Sequence, residues 1–242
     1  NYQLATYALA ELFTRKDEAE IAELRKAGQA IDAVHAQVSQ LLQPGRTEAE
    51  VAHELEELIL REHSVIDFVI VGSGPNGANP HHSFSDRVLA EGEPVVVDIG
   101  GTLPSGYHSD CTRTYVVGGD ISMAPQDFQD AYAVLADAQA AARAAAHPGS
   151  TAAEIDAIAR KAIAAASWAD NFVHRTGHGI GLSTHEEPFI MEGNDLPLEE
   201  GMAFSIEPGI YVEGKWGMRL EDIVILTSDG YESLNLAPRE VR

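Results

Sequence analysis

The sequence predicts an α+β fold made of two duplicated halves, and three observations support this. Amphipathic helical patterns alternate with short β-branched apolar runs along the 242 residues. The segment PGRTEAEV at residues 44–51 recurs as PGSTAAEI at residues 148–155, displaced by 104 positions. His81 and His185 are separated by the same 104 positions, and in both halves a glycine stands six residues before an acidic residue. Each half is therefore expected to contain two helices and several strands.

The first half begins with two predicted helices and continues with strands. Apolar residues recur at helical spacing over residues 17–42, and Pro44 and Gly45 end that helix. A capping box at Thr47 starts a second helix that runs to residue 62. The β-branched apolar runs predict strands at residues 65–71, 95–99 and 111–117, with a Gly/Asn/Pro loop at residues 72–80.

The second half repeats this order of elements. An alanine-rich helix is predicted over residues 126–146, and a capping box at Thr151 starts another that runs to residue 166. A glycine-rich segment and two strands follow, at residues 176–181, 202–207 and 219–226, and a turn-rich connection separates the strands. Pairing the halves about a pseudo-twofold axis would bring the strands into one sheet, with the helices covering its back.

The composition argues against several classes of binding partner. Acidic residues number 38 against 16 basic ones, so the formal net charge is −22. Such a charge repels phosphates and anionic membrane surfaces, and it predicts a cytoplasmic protein that binds neither nucleic acid nor membrane. No apolar run approaches the roughly 18 residues that a membrane-spanning helix needs. The single cysteine, Cys111, excludes an intrachain disulfide, and strand alternation predicts a packed core thiol there.

Five side chains of metal-binding type lie in distinctive local sequences, two carboxylates at strand ends in each half and one glycine-flanked histidine: Asp98, Asp110, His178, Glu207 and Glu221. Four carboxylates that converge on one point repel each other unless cations lie between them. Oxygen ligands with one imidazole suit a pair of divalent ions, which indicates a two-metal hydrolase. Taken singly, Asp98 is also consistent with a turn cap, and Glu221 with a salt bridge to Arg219.

Three histidines in loops are candidates for proton transfer or contact with a carbonyl: His81, His174 and His185. The adjacent His82 competes with His81 for the same role. Three other histidines fall in predicted helices and are expected on the solvated surface: His35, His53 and His63. His108 and His147 lie in no motif, and no role is assigned to them.

Taken together, the motifs resemble the methionine aminopeptidase and prolidase superfamily, the pita-bread metallopeptidases. They are NPH at 79–81, VDIG at 97–100, SDCTRT at 109–114, HRTGHGIG at 174–181, THEEP at 184–188, IEPGIY at 206–211 and RLED at 219–222. The RLED motif and His174 make the chain most similar to the catalytic domains of Xaa-Pro dipeptidase and Xaa-Pro aminopeptidase. The resemblance implies a curved, mostly antiparallel sheet with helices on its outer face.

The resemblance also implies roles for the five ligands. It implies that Asp98 binds one metal, that His178 and Glu207 bind the other, and that Asp110 and Glu221 bridge both. It implies two divalent ions, manganese or cobalt first, with zinc or iron as alternatives. By the same resemblance, substrate contacts or proton transfer are expected of four residues: His81, His174, His185 and Arg219.

The expected activity is hydrolysis of the Xaa-Pro bond of dipeptides or short peptides by a metal-bridging hydroxide, with Glu207 as base as well as ligand. Residues 17–242 would form the catalytic domain and residues 1–16 a linker remnant, and the resemblance allows a homodimer. Three alternatives stay open. They are a methionine or general aminopeptidase, a non-catalytic binding module on the same fold, and a metal-independent enzyme of the creatinase type.

Overall fold

The computed structural model describes Leu9 and residues 12–241. Four helices are bounded within these residues: α1 (Glu18–Leu41), α2 (Glu48–Ile59), α3 (Gln126–Ala144) and α4 (Ala152–Ala165). The strands are β1 (Val65–Ser73), β2 (Pro94–Thr102), β3 (Cys111–Val116), β4 (Gly177–Gly179), β5 (Glu186–Ile190), β6 (Ala203–Ile206), β7 (Gly209–Val212), β8 (Trp216–Arg219), β9 (Asp222–Thr227) and β10 (Gly230–Ser233). The predicted α+β class is confirmed, because every pairing between these strands is antiparallel and helices pack on them.

Capping boxes begin three of the helices. Asp17 caps α1, Thr47 caps α2 and Thr151 caps α4, and each side chain accepts a hydrogen bond from the backbone N–H three residues later. In each box the glutamate at that later position accepts a hydrogen bond from the cap N–H, at 2.8 to 2.9 Å. These bonds satisfy N–H groups that the helix itself leaves unpaired. The two boxes predicted at Thr47 and Thr151 are therefore confirmed.

The duplication is visible in the strand pairing. In the first half β2 lies between β1 and β3, and in the second half β6 lies between β4 and β9. An isolated bridge joins Thr47 to Val88 in the first half, and the corresponding bridge joins Thr151 to Pro197 in the second. Each half thus ties the start of its second helix to the segment that leads into its central strand.

A hydrogen-bonded seam joins β3 of the first half to residues 219–221 of the second. The Thr114 hydroxyl accepts a hydrogen bond from the Arg219 backbone N–H at 3.0 Å and donates one to the Arg219 carbonyl at 2.9 Å. The Glu221 N–H then donates to the carbonyl of Thr112 at 3.2 Å, and the Thr112 hydroxyl donates to the Glu221 carboxylate at 2.7 Å. The expected sheet therefore consists of three hydrogen-bonded parts, joined where β3 meets residues 219–221.

Each half has its own apolar core between its helices and its strands. The first packs α1 and α2 on β1–β3, with Leu55 and Val97 fully buried. The second packs α3 and α4 on strands of the second half, with Phe128 and Phe204 fully buried. A smaller third cluster joins α1 to β6 and β9. Cys111 is fully buried in the first core, as predicted.

The strand predicted over residues 219–226 is two strands. Arg219 ends β8 and Asp222 begins β9, because Glu221 between them leaves the β9 register to bond across the seam to Thr112. The connection before it, predicted as turn-rich, contains the β7–β8 hairpin. The sequence pattern did not predict these two strands, nor β5 and β10.

The surface placement predicted for His35 and His63 is wrong, whereas His53 is exposed as expected. Both rings of the buried pair satisfy their two nitrogens internally. His35 lies 2.9 Å from both the Tyr115 hydroxyl and the Cys111 carbonyl. His63 lies 2.8 Å from the Ser109 hydroxyl and 3.1 Å from the carbonyl one helical turn before it. Such pairing removes the cost of burying an imidazole.

The expected linker at residues 1–16 falls partly outside the described residues, namely at 1–8, 10 and 11, and it stays a prediction. Arg15 forms a bridge with Met202, and the Lys16 N–H donates to the Gly201 carbonyl at 2.8 Å. The Lys16 side chain is buried and pairs with Glu186. Across the part of the chain that the structure describes, no helix is both long and apolar enough to cross a membrane.

Thr47→Ala and Thr151→Ala should each lower the free energy of unfolding by about 1 kcal/mol, because each removes a helix cap. Thr47→Ser and Thr151→Ser are the matched controls, since serine keeps the hydroxyl acceptor. Denaturant unfolding of all four variants measures the effect. Equal stability of the alanine and serine variants would contradict the role of the caps.

Candidate metal centre

All five predicted ligands line one cavity of about 850 Å³ between the two halves. The other predicted site residues line the same cavity: His81, His174, His185 and Arg219. The topology explains this convergence. In the first half Asp98 lies inside the central strand β2, not at its end as predicted, and Asp110 directly precedes β3. In the second half Glu207 directly follows the central strand β6, and Glu221 directly precedes β9.

The closest group of ligand atoms comes from three buried residues. Atoms of Asp110, His178 and Glu221 lie within 4.8 Å of one another. His178 Nε2 also lies 3.1 Å from Glu207 Oε1 and 3.6 Å from Asp110 Oδ2. The Ser205 hydroxyl donates to Glu207 Oε1 at 2.9 Å and accepts from the His178 N–H at 3.0 Å, so one serine orients both residues.

Asp98 is held by a buried arginine. The Arg219 guanidinium donates to Asp98 Oδ2 at 2.6 Å. Its other donors bond to the Thr112 hydroxyl at 3.1 Å, the Tyr211 hydroxyl at 2.8 Å and the Pro80 carbonyl at 3.3 Å. Arg219 thus pairs with Asp98, where the sequence had suggested Glu221. Its donors are engaged by protein atoms, and its contact with a substrate stays a prediction.

The electrostatics of the site favour a cation. Burial, reinforced by neighbouring carboxylates, raises the pKa of Asp98, and raises the pKa values of Asp110 and Glu221 well above the ordinary range, although Arg219 opposes this. Glu207 differs. Burial raises its pKa, but the hydrogen bond and charge of His178 and further nearby cations bring it to about 2. Without cations, then, most of these carboxyls are pushed toward the neutral form.

Two oxygen atoms in the centre lack a hydrogen-bond partner in the described part of the chain. Asp98 Oδ1 and Glu221 Oε1 are buried and have no hydrogen bond to any described residue. An unpaired buried carboxylate oxygen is costly unless a cation binds it. Four carboxylates and one imidazole are ligands that manganese, cobalt, iron and zinc accept. The residues present therefore fit divalent metal ions, and the division of ligands between two ions stays a prediction.

Two of the loop histidines are held neutral at pH 7. His174 Nε2 lies 2.8 Å from the Tyr211 hydroxyl, and burial lowers the pKa of His174 to about 4. The centre of the His185 ring lies 4.1 Å from that of the His178 ring, with the two planes tilted by 49°, and partial burial together with the charge of His178 lowers the pKa of His185 to about 4. Both rings are therefore suited to hydrogen bonding with a substrate.

His81 and His82, which competed for one role, occupy different environments. The His81 side chain is exposed at the cavity, and its backbone N–H donates to Asn79 Oδ1 at 3.1 Å. The His82 ring also borders the cavity, but its Nε2 lies 2.9 Å from the buried carboxylate of Glu48. His82 is thus anchored to α2, whereas His81 is presented to the cavity.

Sequence reasoning missed several residues that shape the site. Tyr211 connects His174 to Arg219, and Thr112 connects Arg219 to Glu221. Tyr211 stands in the IEPGIY motif, which could have drawn attention to it. The apolar side of the cavity comes from residues with no chemical signature, among them Phe68, Phe84 and Met191.

Two halves that pool acidic ligands at a shared cavity define the pita-bread class of metallopeptidase fold. The chain belongs to metallopeptidase family M24, whose model matches residues 22–228. The family resemblance stated from the motifs is thereby confirmed.

Similar proteins are named as dipeptidases. "Probable dipeptidase PepE" of Mycobacterium tuberculosis strain H37Rv is 59% identical over 239 residues, 98% of this chain and 63% of that protein. "Xaa-Pro dipeptidase" of Lactobacillus delbrueckii subsp. lactis is 41% identical over 238 residues, 97% of this chain and 63% of that protein. The chain thus spans less than two thirds of the length of these relatives.

Solved structures agree in fold. Dipeptidase PepE from Mycobacterium ulcerans superposes with a TM-score of 0.95 at 56% identity, over 98% of this chain and 63% of that one. The prolidase from Pyrococcus furiosus superposes with a TM-score of 0.90 at 36% identity, over 97% of this chain and 68% of that one.

Metal uptake at pH 6 should release protons, because carboxyls with a raised pKa must ionise to bind a cation. Without metal, the folded state keeps these carboxyls protonated at pH values where the unfolded chain has already ionised them. The free energy of unfolding of the metal-free protein should therefore fall as the pH rises above about 4. Calorimetric titration of manganese in buffers of different ionisation enthalpy counts the protons. Glu221→Gln should release fewer, while the surface control Glu232→Gln should match the parent. Uptake without proton release would contradict the electrostatic account.

Proposed function

We propose that this chain is the catalytic part of a two-metal peptidase that hydrolyses the bond before proline in dipeptides or short peptides. The observation that carries the proposal is the convergence of five ligands, from both halves, on a cavity that also presents three histidines. The relatives named Xaa-Pro dipeptidase support the choice of bond. Retention of every ligand argues against a binding module without catalysis.

The shape of the cavity suits a small substrate. A volume of about 850 Å³ lies in the range of small-molecule sites and accommodates a short peptide. Its apolar wall includes Phe68, Phe84 and Met191, which suit a pyrrolidine ring. The bond before proline lacks an N–H group, so the site needs no acceptor for it.

We assign Asp98 to one metal, His178 and Glu207 to the other, and Asp110 and Glu221 to both. Divalent ions held by such a set polarise a carbonyl and make water nucleophilic near neutral pH. The assignment is consistent with the two unpaired oxygens, which belong to Asp98 and Glu221.

The chain's own residues supply the remaining chemistry. Glu207, which is ionised, accepts the proton of the attacking water and passes it toward the leaving imino nitrogen. The neutral rings of His174 and His185 hydrogen-bond the substrate, and His81 or His185 steadies the charge that develops on the scissile carbonyl oxygen. Arg219 keeps Asp98 oriented by direct pairing, and in our proposal it also borders the substrate.

We further propose manganese or cobalt as the activating ion, with zinc or iron as alternatives, since all four accept this ligand set. We also propose a cytoplasmic location, which the acidic composition supports. Short proline-containing peptides are the proposed substrates, and the relatives named Xaa-Pro dipeptidase support this choice. A homodimer is the assembly we propose.

A substrate panel tests the choice of bond. Metal-stripped protein is reloaded with manganese, cobalt or zinc and assayed on Xaa-Pro dipeptides, Xaa-Pro tripeptides and methionyl peptides. We expect Xaa-Pro substrates to be cleaved, and a chelator to abolish cleavage. Faster turnover of methionyl peptides, or activity that survives chelation, would contradict the proposal.

Asp110→Ala and Glu221→Ala should each reduce turnover by at least ~10³-fold, because a metal clamp contributes several kcal/mol to the transition state. Glu232→Gln is again the surface control and should keep parental activity. Elemental analysis of the same samples should show reduced metal content. Full activity in either alanine variant would refute the assigned centre.

A further inference from the structure

A buried carboxylate, Glu48, lies beside the loop that carries His81. Glu48 stands in the first turn of α2, and its side chain is 0% exposed. Its oxygens accept hydrogen bonds from Ser73, Asn76, His82 and Ser85, at 2.7 to 3.1 Å. Burial raises the pKa of Glu48, but the hydrogen bonds from Ser73, Ser85 and His82 outweigh it, so the group is an ionised acceptor.

These donors hold both ends of one loop. His82 and Ser85 enclose the cavity-lining residues Ser83 and Phe84, and the Ser83 carbonyl accepts the backbone N–H of Val71 at 2.7 Å. The residue directly before His82 is the cavity histidine of the first half. The backbone of His81 is therefore held by its neighbour His82, whose ring is bonded to Glu48 of α2.

The second half contains a comparable arrangement. Asp156 of α4 is 1% exposed and accepts hydrogen bonds from the Thr176 N–H at 3.2 Å and the Thr176 hydroxyl at 2.7 Å. It also accepts hydrogen bonds from Arg160 Nε at 2.9 Å and from Arg160 Nη2 at 2.8 Å. Arg160 in turn donates to the carbonyls of Phe172 at 3.2 Å and His174 at 3.0 Å. The backbone of this cavity histidine is thus fixed from α4.

The two acids are not copies of one ancestral residue. The 104-residue displacement relates Glu48 to Ala152, whereas Asp156 stands one helical turn later. Each half therefore has its own buried acid, at a different position of its second helix.

We propose that Glu48 and Asp156 are positioning residues, which hold His81 and His174 in place on the cavity walls contributed by their respective halves. The inference rests on the proposed peptidase function for its kinetic test. Glu48 acts on His81 through the adjacent His82, and Asp156 acts on His174 through Arg160. Neither acid lines the cavity.

The test combines isosteric acid variants with histidine variants in the full, metal-loaded chain. Glu48→Gln and Asp156→Asn remove the charge and keep the shape, and each should lower kcat/KM for an Xaa-Pro dipeptide by roughly 10- to 100-fold. Each is then combined with His81→Ala and with His174→Ala. Within one half, the double variant should be no slower than the histidine variant alone. Across halves, the two losses should multiply.

Asp32→Asn is the matched control. Asp32 is a half-buried acid that accepts backbone N–H groups of Leu236 and Ala237, and it does not line the cavity. We expect this variant to lower Tm while leaving kcat/KM within about twofold of the parent. Losses that multiply within a half would show that the acids support the fold in general, and would overturn the proposal.

Histidine ring signals in the ¹H NMR spectrum give a readout that does not need turnover. Glu48→Gln should shift or broaden the signals of His81 and His82 and leave those of His174 unchanged, and Asp156→Asn should do the reverse. Unchanged spectra would overturn the positioning role. A parent chain that cleaves no Xaa-Pro peptide but shows these half-specific spectral changes would instead refute only the proposed function.

Discussion

The rest of this structure depends on one electrostatic constraint, which is the repulsion between four carboxylates that lie close together inside the protein. Burial and mutual repulsion push Asp98, Asp110 and Glu221 toward the neutral form, and a single arginine offsets part of that. The Thr112 hydroxyl donates to Glu221, but Asp98 Oδ1 and Glu221 Oε1 stay unpaired among the described residues. The centre therefore favours the binding of cations, and the surrounding strands bring its ligands together.

Part of the fold and of the site could be predicted from the sequence, because it depends on residues that are neighbours in the chain. Capping boxes at Thr47 and Thr151 require only a hydroxyl and a glutamate three residues later, so the helix starts were predictable. The carboxylates were recognisable because each lies in or directly beside a strand, and His178 because glycines flank it. The strand break before Asp222 was not predictable, because it depends on a bond from Glu221 to the other half. His35 was misplaced for a similar reason, since its partners Tyr115 and Cys111 are far along the chain.

The sequence identifies some residues of the site more clearly than others. Metal ligands have motifs, and the loop histidines have glycine, proline or threonine neighbours. The residues that orient them have no chemical signature of their own, although Thr112 and Tyr211 stand inside the SDCTRT and IEPGIY motifs. Ser205, Thr112 and Tyr211 each connect two functional residues, and each is an ordinary strand residue in the sequence. Orientation is a property of three-dimensional packing, so it becomes visible only when the partners of each hydrogen bond are known.

The seam between Thr114 and Arg219 has a consequence for protein engineering. The same short stretch of backbone joins the halves and carries Arg219 and Glu221 into the centre. Substitutions chosen to tighten this junction would therefore move Arg219 and Glu221 at the same time. Efforts to raise heat tolerance are better directed at the separate cores of the two halves, where packing gains leave the chemistry untouched.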